Sequence, residues 1–182
     1  MHPIDLAPGI ILRTVEETDA EALAAAYDRN REHLGPWDRR RDEEFFTAEC
    51  QRRLIRRQLE EQEAGRLVRF VLEDEEGILG NATLSNIVFG AYRNASIGYW
   101  IDRDNLGRGL ATAAVEALCQ YSDQELSLHR LEAGTLVHNV RSQRVLAKCG
   151  FEYVGLAREY VHIDGRWQDH RLFQKILNDR DA

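Results

Sequence analysis

Tyr99-Trp100-Ile101-Asp102-Arg103-Asp104-Asn105-Leu106-Gly107-Arg108-Gly109-Leu110-Ala111-Thr112 reads as a strand, a polar turn punctuated by two glycines, and the start of a helix. A helix that opens this way offers free backbone N–H groups and the positive end of its dipole. Glycines let an anion approach the main chain with no side chain between them. The stretch is therefore a candidate phosphate-binding turn, to which Arg108 could add a direct charge. Neither of the two commonest phosphate turns fits it. A dinucleotide turn would have Gly or Ala where Thr112 stands and an acidic residue ending the next strand about twenty positions on. That strand ends instead in Val137-His138-Asn139. The Gly-x-x-x-x-Gly-Lys-Ser/Thr pattern of nucleotide hydrolases is absent. Taken alone, a Gly-x-Gly turn is also how an ordinary flexible helix start looks.

Upstream, Ile10 to Thr14 reads as a strand, and Thr18-Asp19-Ala20-Glu21 has the Thr-x-x-Glu spacing of a capping box opening a helix to about Asn30. Gly35-Pro36-Trp37 breaks the pattern. A second helix from Thr47 to Ala64 carries only a narrow apolar stripe, Leu54, Ile55 and Leu59, and should be largely solvated. Leu67 to Leu72 and Ile78 to Phe89, the latter interrupted by Gly80, form a hairpin around Glu75-Glu76-Gly77. Downstream, an Ala-rich helix from Gly109 to Tyr121 leads to a strand, Arg130 to Val137, and a short helix, Asn139 to Cys149, ended by Gly150. Two strands, Glu152 to Val161 and Trp167 to Leu177, flank Asp164-Gly165. The alternation of strands and helices, without repeat or linker, indicates a single mixed α/β domain.

Composition narrows the function classes. Of 182 residues, 43% are hydrophobic and only three are proline, which suits one globular core. A net charge of -7 argues against duplex DNA as partner. No apolar run is long enough to span a membrane, and the start Met1-His2-Pro3-Ile4-Asp5 lacks the signature of a secretory leader. Cys50, Cys119 and Cys149 stand far apart, which fits reduced thiols in the cytoplasm, and no metal-ligand spacing is present. The arginines at 39–41, 52–53 and 56–57 are interleaved with glutamates, so they read as a solvated helix face and not as an RNA patch.

The turn does not stand alone. Gly107-Arg108-Gly109-Leu110-Ala111 follows a Tyr-Trp-Ile strand, and about thirty residues later comes Asn139-Val140-Arg141-Ser142-Gln143-Arg144-Val145-Leu146-Ala147-Lys148-Cys149-Gly150-Phe151. This pair resembles the motifs of GCN5-related N-acetyltransferases (GNAT): the first is similar to their pantetheine and pyrophosphate loop, the second to their Asn-x-x-Ser helix leading to Lys-x-Gly-Phe. The likeness runs from Ile10 to Ile176, and the opening and closing strands look like the group that acetylates ribosomal-protein N-termini. One departure is Asp104, where the family's loop often carries Gln or Arg. A carboxylate cannot donate to phosphate there, and Arg103 or Arg108 would have to substitute.

The resemblance implies an α/β (α+β) domain over residues 10–177, with a mixed, mostly antiparallel twisted sheet of about seven strands and helices on both faces. Acetyl-CoA would be the co-substrate, with no metal, bound in a split between Ala95 to Ile101 and Arg130 to Val137. Leu106, Gly107, Arg108, Gly109, Leu110 and Ala111 would cradle the pyrophosphate. The main chain at Trp100, Ile101 and Asp102 would hold the pantetheine arm and thioester carbonyl. Such donors are worth about 10² to 10³ in rate each. Asn139 would lie against the cofactor and also cap its helix by accepting from the Ser142 N–H, while Ser142 would protonate the leaving thiolate.

For the general base, Glu159 is the best sequence candidate. Asp169 looks like a group-typical residue that orders the floor of the site. His138 reads as a half-buried strand residue; the resemblance implies for Trp37 an aromatic contact in the acceptor groove, and a residue lidding the core is the alternative reading. An α-amine costs only about 1 to 1.4 kcal/mol to deprotonate at pH 7 and lysine nearly 5, on the order of their ordinary pKa values, so an ill-defined base suits an α-amine. The expected acceptor is a protein N-terminus, with transfer direct and no covalent enzyme intermediate. Alternatives left open are another acyl donor such as succinyl-CoA, a small-molecule amine, and a noncatalytic CoA-binding sensor. Exposed sheet edges permit a homodimer.

Overall fold

The computed structural model describes residues 2–180; Met1, the first residue of the stretch read against a leader, lies outside them. In chain order the strands are β1 (Ile4–Ala7), β2 (Ile10–Thr14), β3 (Val68–Asp74), β4 (Gly77–Val88), β5 (Asn94–Ile101), β6 (Arg130–Leu136), β7 (Glu152–Ile163) and β8 (Arg166–Ile176). The helices are α1 (Ala20–Arg29), α2 (Arg31–Leu34), α3 (Ala48–Glu63), α4 (Leu110–Gln124) and α5 (Val140–Lys148). Where the sequence predicts about seven strands, the sheet has eight, ordered β1-β2-β3-β4-β5-β6-β8-β7. The extra strand is β1, only four residues long, which pairs with β2 ahead of the start expected at residue 10.

Every pairing is antiparallel except β5 with β6. That exception decides the architecture. The parallel register holds at Asn94 with Arg130, Ala95 with Leu131 and Ser96 with Glu132, and then stops, although β5 continues to Ile101 and β6 to Leu136. The two strands therefore part in the middle of the sheet. α4, crossing between them, packs Leu110, Ala114, Val115 and Leu118 with Ala95, Ile97, Leu131 and, from α5, Leu146 on one face. On the other face Ala20, Leu23 and Ala26 of α1 meet Ile55 of α3 over Val71 and Ile78. Burying a side chain such as Leu118 stabilises by about 1.5 to 3 kcal/mol, so both faces contribute to the core.

Two local expectations are corrected. The capping box forms two residues earlier than Thr18 and Glu21, with Glu16 as the cap and Asp19 as its reciprocal partner: Asp19 accepts the Glu16 N–H at 2.8 Å and also pairs with Arg13. β4 also continues as a strand through Gly80, and the interruption is a bulge beside it: Leu72 pairs with Gly80 and Glu73 with Ile78, which leaves Leu79 of β4 as the extra residue. The α3 arginines behave as expected: Arg52, Arg53 and Arg56 pair with Glu21, Glu44 and Glu17. α3 buries Cys50, Gln51 and Ile55.

Candidate functional site

The parted strands leave backbone groups facing a gap. Asp102 N–H donates to the Leu79 carbonyl at 2.7 Å, so that residue's main chain points to β4. Antiparallel pairing alternates with a period of two, so Trp100, opposite Asn81, points the same way, while Tyr99 and Ile101 point toward β6. Of the three main-chain positions named from the sequence, Trp100 and Asp102 therefore face β4 and Ile101 faces the gap, as does Tyr99. Three consecutive residues of a strand cannot all turn their main chain to one side, because the direction alternates along it.

Asp102 does different work. Its carboxylate is buried, 2% exposed, and accepts from Arg29, from Asn30 at 3.0 Å and from the Asp104 N–H at 3.1 Å. Burial pushes its pKa up, but these hydrogen bonds outweigh burial and hold it below the usual carboxylate value. The anion thus fastens the end of α1 to the glycine turn.

The turn itself is shaped by Gly107 at φ +79° and Gly109 at φ +82°, in the left-handed region, with no atom within 4 Å of where a Cβ would stand. Gly109 is the N-cap of α4 and supplies no side-chain cap, leaving the first-turn N–H groups facing outward. Arg108 donates to Asn105 within the turn.

A cavity of about 840 Å³ joins these elements. Of the sequence-predicted residues it is lined by Trp100, Ile101, Leu106, Gly107, Gly109, Leu110, Ala111, Asn139 and Ser142; Asp102, Arg108 and Glu159 are not on its wall. Asn139 accepts the Ser142 N–H at 3.1 Å, as the N-cap reading expects. The Ser142 hydroxyl lies 2.9 Å from the Tyr99 hydroxyl. Burial pushes the Tyr99 phenol up to about 12, against the Ser142 hydrogen bond, so it stays protonated. Tyr99 is therefore a proton-bearing partner of Ser142, which strand position alone could not reveal.

Sequence reasoning also missed Arg141, Arg144 and Lys148, which line the same cavity. Their spacing puts them on one face of α5, a signal that was present. None has an acidic partner among the described residues, unlike Arg52, Arg53 and Arg56 of α3. Trp37 also lines the cavity and stacks on His138 at 5.4 Å; His138 lies beyond the end of β6 and is exposed, not half-buried in the strand.

Glu159 is placed elsewhere. It is exposed, adopts φ +47°, and sits at a bulge of β7 where the register against β8 shifts between Ala157 and Val161. Its N–H donates to the Asp169 carboxylate at 2.9 Å, so Asp169 orders this bulge. The structure does not bring Glu159 together with Ser142. A second cavity of about 480 Å³ lies on the sheet face away from α4 and α5, between Ser96 of β5 and Tyr160 of β7. Among the described residues no cluster of potential metal ligands occurs, and no helix is long and apolar enough to cross a membrane.

Comparison with known proteins agrees with this geometry. The model of the acetyltransferase (GNAT) domain matches residues 10–152. The [ribosomal protein uS5]-alanine N-acetyltransferase of Escherichia coli is 36% identical, over 90% of this chain and 85% of its own. Among solved structures, the ribosomal-protein-S5-alanine acetyltransferase of Vibrio fischeri superposes with a TM-score of 0.94 at 30% identity, covering 100% of both chains. RimJ of Mycobacterium smegmatis, solved in complex with CoA-disulfide, gives 0.88 at 32% identity over 92% of this chain and 81% of its own.

Proposed function

The chain belongs to the GNAT acetyltransferase family, and from that premise we propose that it moves an acetyl group from acetyl-CoA to the N-terminal α-amine of a protein, at the split between β5 and β6. One observation carries the donor half of the reading. The 840 Å³ cavity connects an uncapped helix N-terminus to three cations without acidic partners and ends at the Tyr99–Ser142 hydroxyl pair. A polyphosphate attached to a thioester matches that sequence of chemistries. The N–H groups at Gly109 to Ala111 take the pyrophosphate, Arg141, Arg144 and Lys148 balance further phosphate charge, and the split takes the pantetheine arm.

Transfer is direct. The acceptor nitrogen attacks the thioester carbon, negative charge gathers on the carbonyl oxygen, and the outward N–H groups of Tyr99 and Ile101 stabilise it. The sulfur then leaves with the C–S electron pair and takes a proton from the Ser142 hydroxyl, which Tyr99 can resupply across 2.9 Å. Free thiols titrate near 8.5, so this donation is a modest demand. Glu159 lines neither cavity, and the mechanism assigns it no proton transfer.

For the acceptor, support comes from the relatives at 30% identity or more whose names specify alanine of a ribosomal protein. Such an acceptor would place the reaction in the cytoplasm, where three free cysteines remain reduced. Calorimetric titration with acetyl-CoA, succinyl-CoA and NAD, followed by a thiol-release assay against N-terminal peptides, lysine peptides and polyamines, tests both halves. Acetyl-CoA binding with turnover on peptide α-amines is expected. Turnover on polyamines alone would overturn the acceptor, and binding without any turnover would favour a sensor.

A further inference from the structure

The mechanism above lacks a group to take the proton an ammonium must lose. We propose that this group is His170, working from the 480 Å³ cavity on the opposite face of the split; the inference rests on the amine acceptor just proposed.

The position follows from strand alternation. Glu132, Gly134 and Leu136 of β6 project to the face away from α4 and α5, and His170 of β8, opposite Leu136 in the register, projects with them. Ser96 and Glu132, the last paired residues before β5 and β6 part, lie on the wall of this cavity. A thioester held in the gap can therefore be met by an amine arriving from the His170 side while CoA occupies the other.

The ring is prepared for the role. His170 is only 5% exposed, and its Nδ1 lies 3.1 Å from the Gln168 carbonyl. A carbonyl oxygen only accepts, so Nδ1 carries the hydrogen and the lone pair of the neutral ring is on Nε2. Nε2 has no partner among the described residues. The Tyr160 ring, 5.7 Å from the imidazole, restricts its movement. Gly134 leaves the space in front of it open: a Cβ there would come within 3.6 Å of the imidazole carbon Cδ2. Glu132 is the one carboxylate on this wall and is engaged by Arg130 at 3.2 Å, which suits it to attract the ammonium and not to take its proton.

The proton count closes. The ammonium gives one N–H proton to Nε2, and the freed nitrogen pair forms the C–N bond. As the C–S bond breaks, the sulfur takes a proton from Ser142, and the second N–H proton of the new amide nitrogen and the one on Nε2 pass to water and to the hydroxyl pair.

The test compares two acceptors. The first is the best N-terminal alanine peptide from the panel; the second is the same peptide opening with trifluoroalanine, whose electron-poor amine is already unprotonated at neutral pH. His170→Asn keeps an N–H for the Gln168 carbonyl, and His170→Gln keeps more of the ring's length. Both variants should bind acetyl-CoA as the parent does and lose about 100-fold in kcat on the alanine peptide. On the trifluoroalanine peptide they should lose less than about fivefold. Equal losses on both peptides, or full activity on the first, would overturn the role of His170. If the parent protein itself acetylates no peptide α-amine, the acceptor assignment fails instead, so the two failures read differently.

Discussion

The two sides of the split are built by different means. On the α4 and α5 side, the wall is largely main chain and helix ends: Gly107 and Gly109 in left-handed conformations, an uncapped first turn, and an N-capping Asn139. On the opposite side the wall is side chains drawn from alternate positions of several strands, with Ser96, Glu132, Gly134, Tyr160 and His170 from β5, β6, β7 and β8. A backbone site needs contiguous residues of particular conformation. A side-chain site needs only that separate strands turn the correct faces together. The first is suited to a ligand part common to every turnover, the second to a ligand that differs between relatives.

The sharpest way to break this contrast is to damage the backbone site. Gly107→Glu should weaken acetyl-CoA binding by about 100-fold or more, close to 3 kcal/mol, measured by calorimetry. Gly90→Glu is the matched control, since Gly90 has φ +70° and equally open surroundings yet lies on a distant turn. Should both lose affinity alike, strain and not phosphate exclusion is responsible. Next in size is the hydroxyl pair. Ser142→Ala and Tyr99→Phe should each lower kcat by about 10- to 100-fold with acetyl-CoA affinity kept, and the double variant should be little worse than the poorer single one. Additive losses in that cycle would mean the two hydroxyls act apart.

Smaller effects sharpen the comparison from the other side. Gly134→Val should raise KM for the peptide about tenfold and leave acetyl-CoA affinity unchanged, because the added methyls fill the space before His170. A change in acetyl-CoA affinity instead would join the two cavities into one site. Smallest is the charge on α5. Arg141→Ala or Arg144→Ala should each weaken acetyl-CoA binding by about three- to fivefold and flatten its salt dependence, while Arg52→Ala on α3 does neither. An equal effect at Arg52 would show only long-range attraction.

The legibility of the two sides followed the same division. The glycine turn, Asn139 and Ser142 could be read in sequence because their chemistry depends on local spacing, and the structure gathers them on one cavity. Every strand but β1 was legible. β1 has four residues and Asp5 in their midst, too little pattern to separate from a loop, and pairing with β2 is what defines it. His170 was invisible because its meaning depends on Leu136, 34 positions away in the chain and opposite it in the sheet. Tyr99 carried no signal for a related cause: nothing in a strand pattern marks its hydroxyl until α5 lays Ser142 against it. Glu159 was nominated for its charge and for lying downstream of the motif. A strand carries no mark that an insertion will swing a residue out of register, and the bulge does so here.

That bulge has a consequence for how the molecule behaves in a crowd. β7 is the outermost strand at one border of the sheet, twelve residues long, and Tyr153, Val154, Leu156, Tyr160 and Val161 on it are all exposed apolar side chains. A straight border of that composition is a template onto which another copy could zip, the first step toward precipitation. The left-handed kink at Glu159, with a second register shift between Tyr153 and Gly155, cuts the border into short runs whose outward hydrogen-bonding groups no longer line up. Straightening it would leave a continuous adhesive margin, so the irregularity removes from this border the regular row of donors and acceptors that edge-to-edge pairing needs.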